Sequence, residues 1–591
     1  MEYLREIWFV IYAVIVIGVM VRIIMDNREP SKTMAWVLVL WFLPLLGIIL
    51  YFFFGQDTRK ERLVSQRSLD QLTKRSMLEF AEQKDLRLPE SHRPLMQLFK
   101  NQSMALPFKD NAVEIYTNGY EFFPALLQAI GQATNHIHLD FYLFCDDPLG
   151  RLVADALIDK ARQGVEVRVI YDDVACWQVS NDFYERMRNE GIEVHAFMPV
   201  KFPAFTSKMN YRNHRKLCVV DGRVGFVGGM NIALRYVKGT KGMAWRDTHL
   251  KVEGGAVYGI QRAFLVDWYF TDRTLITDRK YYPPLNPAIN NNCLAQLVTS
   301  SPVTPWPDIM QGYVRILLEA KRYVYMESPY FLPTEPILFA MRTAALAGVD
   351  VRLLIPRKSD SKVLDWSTLS YVMETLQAGV KVYLYQAGFN HSKLLVCDDS
   401  VSTVGSTNVD FRSFEHNFES NIFFYDEGMA LRLKNIFMED LAQSRPIEEM
   451  KRVKNRPFSK RLGESLLRLL SPLLYGPHVA LAQPVTSFLT KHHTIGTRSH
   501  SATFPTMETW KTHGAIVCTP PNPQTPRLTS SAIPNSPPLN TAPTFHDNPQ
   551  SAIRKPNHDT IVVVLFIFFT NLIVYHCAYY RFFPTFAEDK S

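Results

Sequence analysis

Apolar residues along the middle of the chain recur with two periods, and the order of those periods occurs twice. The stretch 120–134 carries a helical spacing of apolar positions, and so does 309–321. Each is followed by a short run with strand character, HIHLDFYLF (136–144) and YVYMESPYF (323–331). Further on, QGVEVRVIYDD (163–173) resembles AGVDVRLLIPR (347–357). Both read as a helix-ending glycine that runs into a buried strand of the parallel type. Each half therefore reads helix, strand, helix, strand, a long excursion and one more strand. That alternation predicts α/β units, present twice, and excludes an all-β sandwich.

The last strand of each half breaks the apolar pattern in the same way. In YRNHRKLCVVDG (211–222), His214 and Lys216 share a face with Cys218 and Val220, while Leu217 and Val219 point away. In FNHSKLLVCDD (389–399), His391 and Lys393 share one face and Leu394 and Val396 the other. Both copies spell H-x-K-x-x-x-x-D. The same small-residue turn and asparagine follow at equal offsets: Gly228, Gly229 and Asn231 in one, Gly405, Ser406 and Asn408 in the other. A single match would be weak, but two with the same trailing pattern are not accidental.

Brought together about a pseudo-two-fold axis, these strands offer two histidines, two lysines and two asparagines, a set suited to a phosphodiester. Lys216, Lys393, Asn231 and Asn408 can hold the non-bridging oxygens, and one preorganised donor of this kind is worth about 3–4 kcal/mol. The lysines supply the positive charge, so no metal is expected, and no residue cluster has metal-ligand spacing. One histidine can attack phosphorus and the other can serve as acid and then base. Each imidazole needs a carboxylate on its other nitrogen. Asp247 and Glu419 stand at matching distances downstream and are the candidates. Asp221 and Asp398 read as holders of the strand-end turns.

The two ends of the chain have other characters. Residues 7–25 and 34–54 are almost wholly apolar, each about 20 residues, enough to span a ~30 Å hydrocarbon core. They predict a transmembrane hairpin within 1–57. The larger share of Lys and Arg, from Arg59 to Arg75, follows that hairpin, which places its ends and the following domains in the cytoplasm. A basic linker is expected over 58–108, a first domain over 109–280 and a second over 281–475. Residues 476–591 read as a low-complexity tail, rich in Pro, Ser, Thr and Asn over 515–556, with a further candidate span at 561–580.

Overall charge narrows little. A net +8 over 591 residues suits an anionic membrane surface as well as nucleic acid. The seven cysteines show no C-x-x-C spacing and read as free thiols in a reducing compartment.

The paired motifs, with SPYFLP (328–333), FVGGMN (226–231), STNVDFRSFEHNFE (406–419) and the apolar run at 35–55, resemble the bacterial cardiolipin synthases of the phospholipase D superfamily. The resemblance covers about residues 1–475. It implies two pseudo-symmetric α/β/α sandwich domains behind the hairpin. It also implies condensation of two phosphatidylglycerol molecules into cardiolipin and glycerol, at the cytoplasmic face of the inner membrane. His214, Lys216, Asp221, His391, Lys393 and Asp398 fall on the family's active-site positions, and family precedent makes His214 the nucleophile. The expected partners are phosphatidylglycerol, anionic lipids and the membrane, with no cofactor, no nucleic acid and no obligatory protein partner. Two alternatives stay open: a hydrolase or other phosphatidyltransferase, in which water or a different alcohol resolves the intermediate, and a non-enzymatic membrane scaffold. Residues 477–591 resemble nothing in that family.

Overall fold

The computed structural model describes residues 2–26, 30–51, 66–81, 88–200, 210–240, 242–360, 362–447 and 457–470, with 55, 83 and 86 as single positions. The tail, its candidate span at 561–580 and residues 56–65 after the hairpin lie outside the described residues.

The repeat read in the sequence is a repeat in space. The first sheet runs in the order Asn111–Tyr116, His249–Gly254, Val224–Gly228, Lys216–Val220, His136–Phe141, Glu166–Asp172, Glu193–Phe197. The second runs Ala295–Ser300, Asn417–Phe424, Val401–Gly405, Leu394–Cys397, Tyr323–Glu327, Asp350–Pro356, Lys381–Tyr385, strand for strand the same. In each, three strands are parallel, as the Val/Ile/Leu-rich runs predict. The motif strand lies antiparallel beside them and leads a run of antiparallel pairs to the far edge. Helices Gly119–Gln132 and Asp308–Glu319 fall where the period predicts them. Each half, however, opens with a strand ahead of its first helix, which the pattern had not suggested; Asn111–Tyr116 ends its sheet, whereas Pro107–Phe108 pairs outside Ala295–Ser300.

The two faces of each motif strand go to different cores. Cys218 and Val220 pack within the first half, and Leu395 and Cys397 within the second. Leu217, Val219, Leu394 and Val396 meet in one core shared by both halves, with Val227, Leu250, Val404 and Ile422. Fully burying one such side chain is worth about 1.5–3 kcal/mol, so this shared layer presses the two sheets together. The polar ends of the two motif strands are thereby carried to one place.

At the N-terminus, the expected spans fall on the helices Glu2–Met25, Pro30–Phe42 and Pro44–Leu50. The second is interrupted at Leu43, where Pro44 opens a new helix because it has no N–H to continue the old one. Ile23, Leu40 and Tyr51 form a small core between these helices. Among the described residues, no helix is long and apolar enough to cross a membrane. Five cysteines lie among the described residues, and all five are free thiols.

Candidate active site

Two short crossings between the halves set the site. The segment Arg212–Asn213, just before the first histidine, pairs in parallel with Asn417 and Phe418 of the second half. Its counterpart Gly388–Asn390 pairs in parallel with Ala244–Arg246 of the first. His214 N then donates to Phe418 O (2.9 Å) and His391 N to Arg246 O (2.6 Å). Each histidine is thus held beside the carboxylate of the other half.

The carboxylates pair crosswise as a result. His214 Nδ1 lies 2.9 and 3.0 Å from the two oxygens of Glu419. His391 Nδ1 lies 2.7 Å from Asp247 Oδ2. A carboxylate only accepts, so each Nδ1 carries the proton and each Nε2 keeps its lone pair. Glu419 also accepts from Asn417 Nδ2 (3.0 Å) and from the Ser406 hydroxyl (2.5 Å). Asp247 accepts from Thr248 N (2.8 Å). Lys216 and Lys393 each donate to the backbone carbonyl of their own motif histidine, and Lys393 Nζ sits 2.8 Å from His391 Nδ1 and 3.5 Å from its Nε2.

The small turn has a steric reason. A side chain on Gly229 would strike the Asp247 carboxylate, and one on Gly405 would strike Asn421 and the Ser420 carbonyl. Ser406 stands in the second half where Gly229 stands in the first, and its hydroxyl serves Glu419.

Burial governs the electrostatics. It lowers His214 to about 4, although Glu419 opposes it, and lowers His391 to about 3, helped by Lys393. It brings Lys216 down to about 7 and Lys393 to about 8. Burial pushes Asp247 and Glu419 upward, but Lys393 and His391 outweigh it at Asp247, and His214 and Lys216 do so at Glu419; both stay ionised, below the usual carboxylate range. Each histidine feels the lysine of the opposite half. The site therefore holds two neutral imidazoles as potential nucleophile and base, between two carboxylates and two lysines whose charge burial has weakened.

Not every expected residue arrives there. Asp221 and Asp398 sit at the far ends of the motif strands with φ of 53° and 52°. Asp221 accepts from the backbone N–H groups of Thr134, Asn135 and His136, and Asp398 from those of Lys321, Arg322 and Tyr323. Both hold turns, and the structure removes them from the catalytic set that the resemblance implied. Asn231 is committed to the protein, accepting from Leu143 N (3.2 Å) and donating to the Tyr236 hydroxyl (2.6 Å). Buried Asn408 differs: among the described residues its amide oxygen has no partner, while its N–H₂ serves the Asp410 carboxylate.

The comparisons with known proteins agree with this layout. Residues 126–252 and 313–441 match the family model described as "Cardiolipin synthase, PLD-like domain", one block for each sheet. Residues 14–56 match the model described as "Phospholipase_D-nuclease N-terminal". A cardiolipin synthase of Geobacillus sp. (strain WCH70) is 38% identical over 457 residues, 76% of this chain and 90% of the relative. The major cardiolipin synthase ClsA of Bacillus subtilis (strain 168) is 38% identical over 483 residues, 80% of this chain and 99% of the relative. The chain belongs to the bacterial cardiolipin synthase family of the phospholipase D superfamily. A solved phosphatidylserine synthase from Haemophilus influenzae Rd KW20 shares the fold at 15% identity, with a TM-score of 0.51 over 66% of this chain and 100% of that one.

Within this cardiolipin synthase scaffold, several supporting residues went unread in the sequence. Asn213 and Asn390 precede the two histidines, and their side-chain oxygens accept from Arg215 N (3.1 Å) and Ser392 N (2.8 Å). Beneath them lie Asp140 and Glu327, at 2.7 and 3.3 Å from the asparagine amides. Burial, with Asp267 and Asp440 close by, pushes both carboxyls upward, Glu327 to about 8. Arg246 ties the halves through Asp440 (2.7 Å) and bonds Thr248 (2.9 Å) within its own half. The asparagines were visible as N-H-x-K in both copies, and the acids as the fifth residue of both early strands.

Proposed function

We propose that the chain transfers a phosphatidyl group from one phosphatidylglycerol to the hydroxyl of a second, giving cardiolipin and glycerol. The observation that carries this reading is the pair of crossed histidine–carboxylate couples with a lysine in each motif. His214 Nε2 attacks phosphorus, forming a P–N bond while the P–O bond to the headgroup glycerol breaks. His391 gives that alkoxide its proton. The phosphodiester anion favours the imidazolium, so substrate binding opposes the burial that otherwise keeps His391 neutral. His391 then takes the proton of the incoming lipid hydroxyl, which attacks phosphorus as the P–N bond breaks and His214 returns to neutral. Lys216, Lys393 and Asn408 hold the non-bridging oxygens. No nucleotide enters, because one phosphodiester replaces another.

The N-terminal hairpin holds this body at the cytoplasmic face of the inner membrane. Tyr3, Ile7, Val10, Val14, Ile17, Val21 and Ile24 are exposed along the first helix, which supports a lipid environment. The substrates and partners are then phosphatidylglycerol and other anionic lipids. The test is purified full-length protein in phosphatidylglycerol vesicles without nucleotide, with products identified by mass spectrometry. Cardiolipin with released glycerol, reversed by added glycerol, supports the reading. Phosphatidic acid as the main product makes the chain a hydrolase, and no lipid product makes it a scaffold.

A further inference from the structure

The helix Phe458–Leu470 plays no part in the site, and its two sides are unlike. One side packs on the helix Lys362–Gln377: Gly463 lies against the Trp366 ring, Glu464 is 2% exposed, and Arg468 pairs with Glu374 at 2.9 Å. The other side presents Phe458, Leu462 and Leu466, which are 76%, 47% and 52% exposed. At spacing i, i+4, i+8 they form one apolar stripe.

Charge and position give this stripe a specific partner. The sequence that leads into it, KRVKNRPFSKR (451–461), holds six Lys and Arg and no acid. An apolar stripe beside a polybasic run is the combination that lies in the interface of an anionic bilayer. The supporting helix starts two residues after Asp360, whose carboxylate accepts from the Tyr330 hydroxyl at 2.9 Å. The Tyr330 ring in turn lies 6.2 Å from that of His391. The helix that supports the stripe thus begins, in sequence, next to the Asp360–Tyr330 pair beside His391.

We propose that Phe458, Leu462 and Leu466 form a surface-lying contact through which the catalytic body rests on an anionic bilayer. The proposal builds on the lipid-substrate reading above and adds the face that meets the lipid. It differs from the hairpin, which would tether the body without setting its orientation.

The test uses the full chain in vesicles, with a spin label at Phe458→Cys or Leu462→Cys and the unsubstituted protein as background. In phosphatidylglycerol bilayers the label should be reached by oxygen and shielded from a water-soluble nickel chelate. In pure phosphatidylcholine the shielding should weaken. Equal nickel access in both lipids overturns the proposal. So does shielding from both reagents whatever the lipid, which would mean that a second copy covers the stripe. A functional arm uses the Leu462→Glu, Leu466→Glu double variant. Its product formation should fall about tenfold in vesicles with dilute phosphatidylglycerol and recover in detergent–lipid micelles, where no bilayer has to be docked. An equal loss in micelles overturns the proposal by showing damage to the fold. Product identity in the unsubstituted protein tests the synthase reading separately.

Discussion

Asp247→Asn removes a charge and keeps a shape, and it tests the crossed pairing directly. Asp247 is fully buried, and its Oδ2 lies 2.7 Å from His391 Nδ1. When His391 takes up a proton, that contact becomes a charge-assisted hydrogen bond, worth about 1.5–3 kcal/mol. Since about 1.4 kcal/mol is tenfold in rate, the step that uses His391 should slow by about 10- to 150-fold. The variant should impair chiefly proton transfer at the alcohol, because His214 is held by Glu419 instead, although Lys393 also loses a neighbouring charge. With phosphatidylglycerol, cardiolipin formation falls by that factor. With a phosphatidyl ester of p-nitrophenol, a leaving group that needs no proton, the burst of nitrophenol should persist in Asp247→Asn. In Glu419→Gln the burst should slow, since the nucleophile itself loses its partner. If Asp247→Asn slowed the nitrophenol burst as much as Glu419→Gln does, the division of roles between the two histidines would be refuted.

Two further outcomes follow from the same charges. Burial brings Lys216 to about 7 and Lys393 to about 8, so both ammonium groups of the empty site discharge as pH rises through that window. The KM for phosphatidylglycerol should therefore rise between pH 7 and 9 in steady-state kinetics, with kcat changing less, because a bound phosphodiester keeps the lysines protonated; a flat KM would contradict the charge-holding role. The same two lysines supply the positive charge that metal ions supply elsewhere, so activity in a detergent–lipid assay should survive EDTA. Loss that one specific divalent ion restores would show otherwise.

Much of the fold was legible because its signals are local. The glycine before each Val/Ile/Leu run, the helical spacing ahead of HIHLD and YVYME, and the repetition of both announce α/β units in tandem. The opening strands Asn111–Tyr116 and Ala295–Ser300 were not legible in this way. In the first, only one of six residues is fully buried, so its alternation is faint. The histidines and lysines were legible because ionisable groups on an apolar strand, repeated at equal offsets, have no packing explanation. Asp221 and Asp398 show the limit of such a signal. They recur for a backbone reason, a left-handed turn whose neighbouring N–H groups need an acceptor.

The chain by itself singles out the paired histidines and lysines and shows that there are two of each, because period, spacing and residue type are properties of neighbours along the backbone. It does not settle which carboxylate serves which histidine. Asp247 stands 33 residues after His214, and Glu419 stands 28 after His391, so spacing alone favours partners within one half. The tertiary structure decides for the opposite pairing. Leu217 and Val219 share a core with Leu394 and Val396, which presses the halves together, and Arg212–Asn213 and Gly388–Asn390 then each find their strand partner across the join. A backbone segment must pair its N–H and C=O groups where it is buried. Satisfying them across the join carries each histidine to the other half's acid.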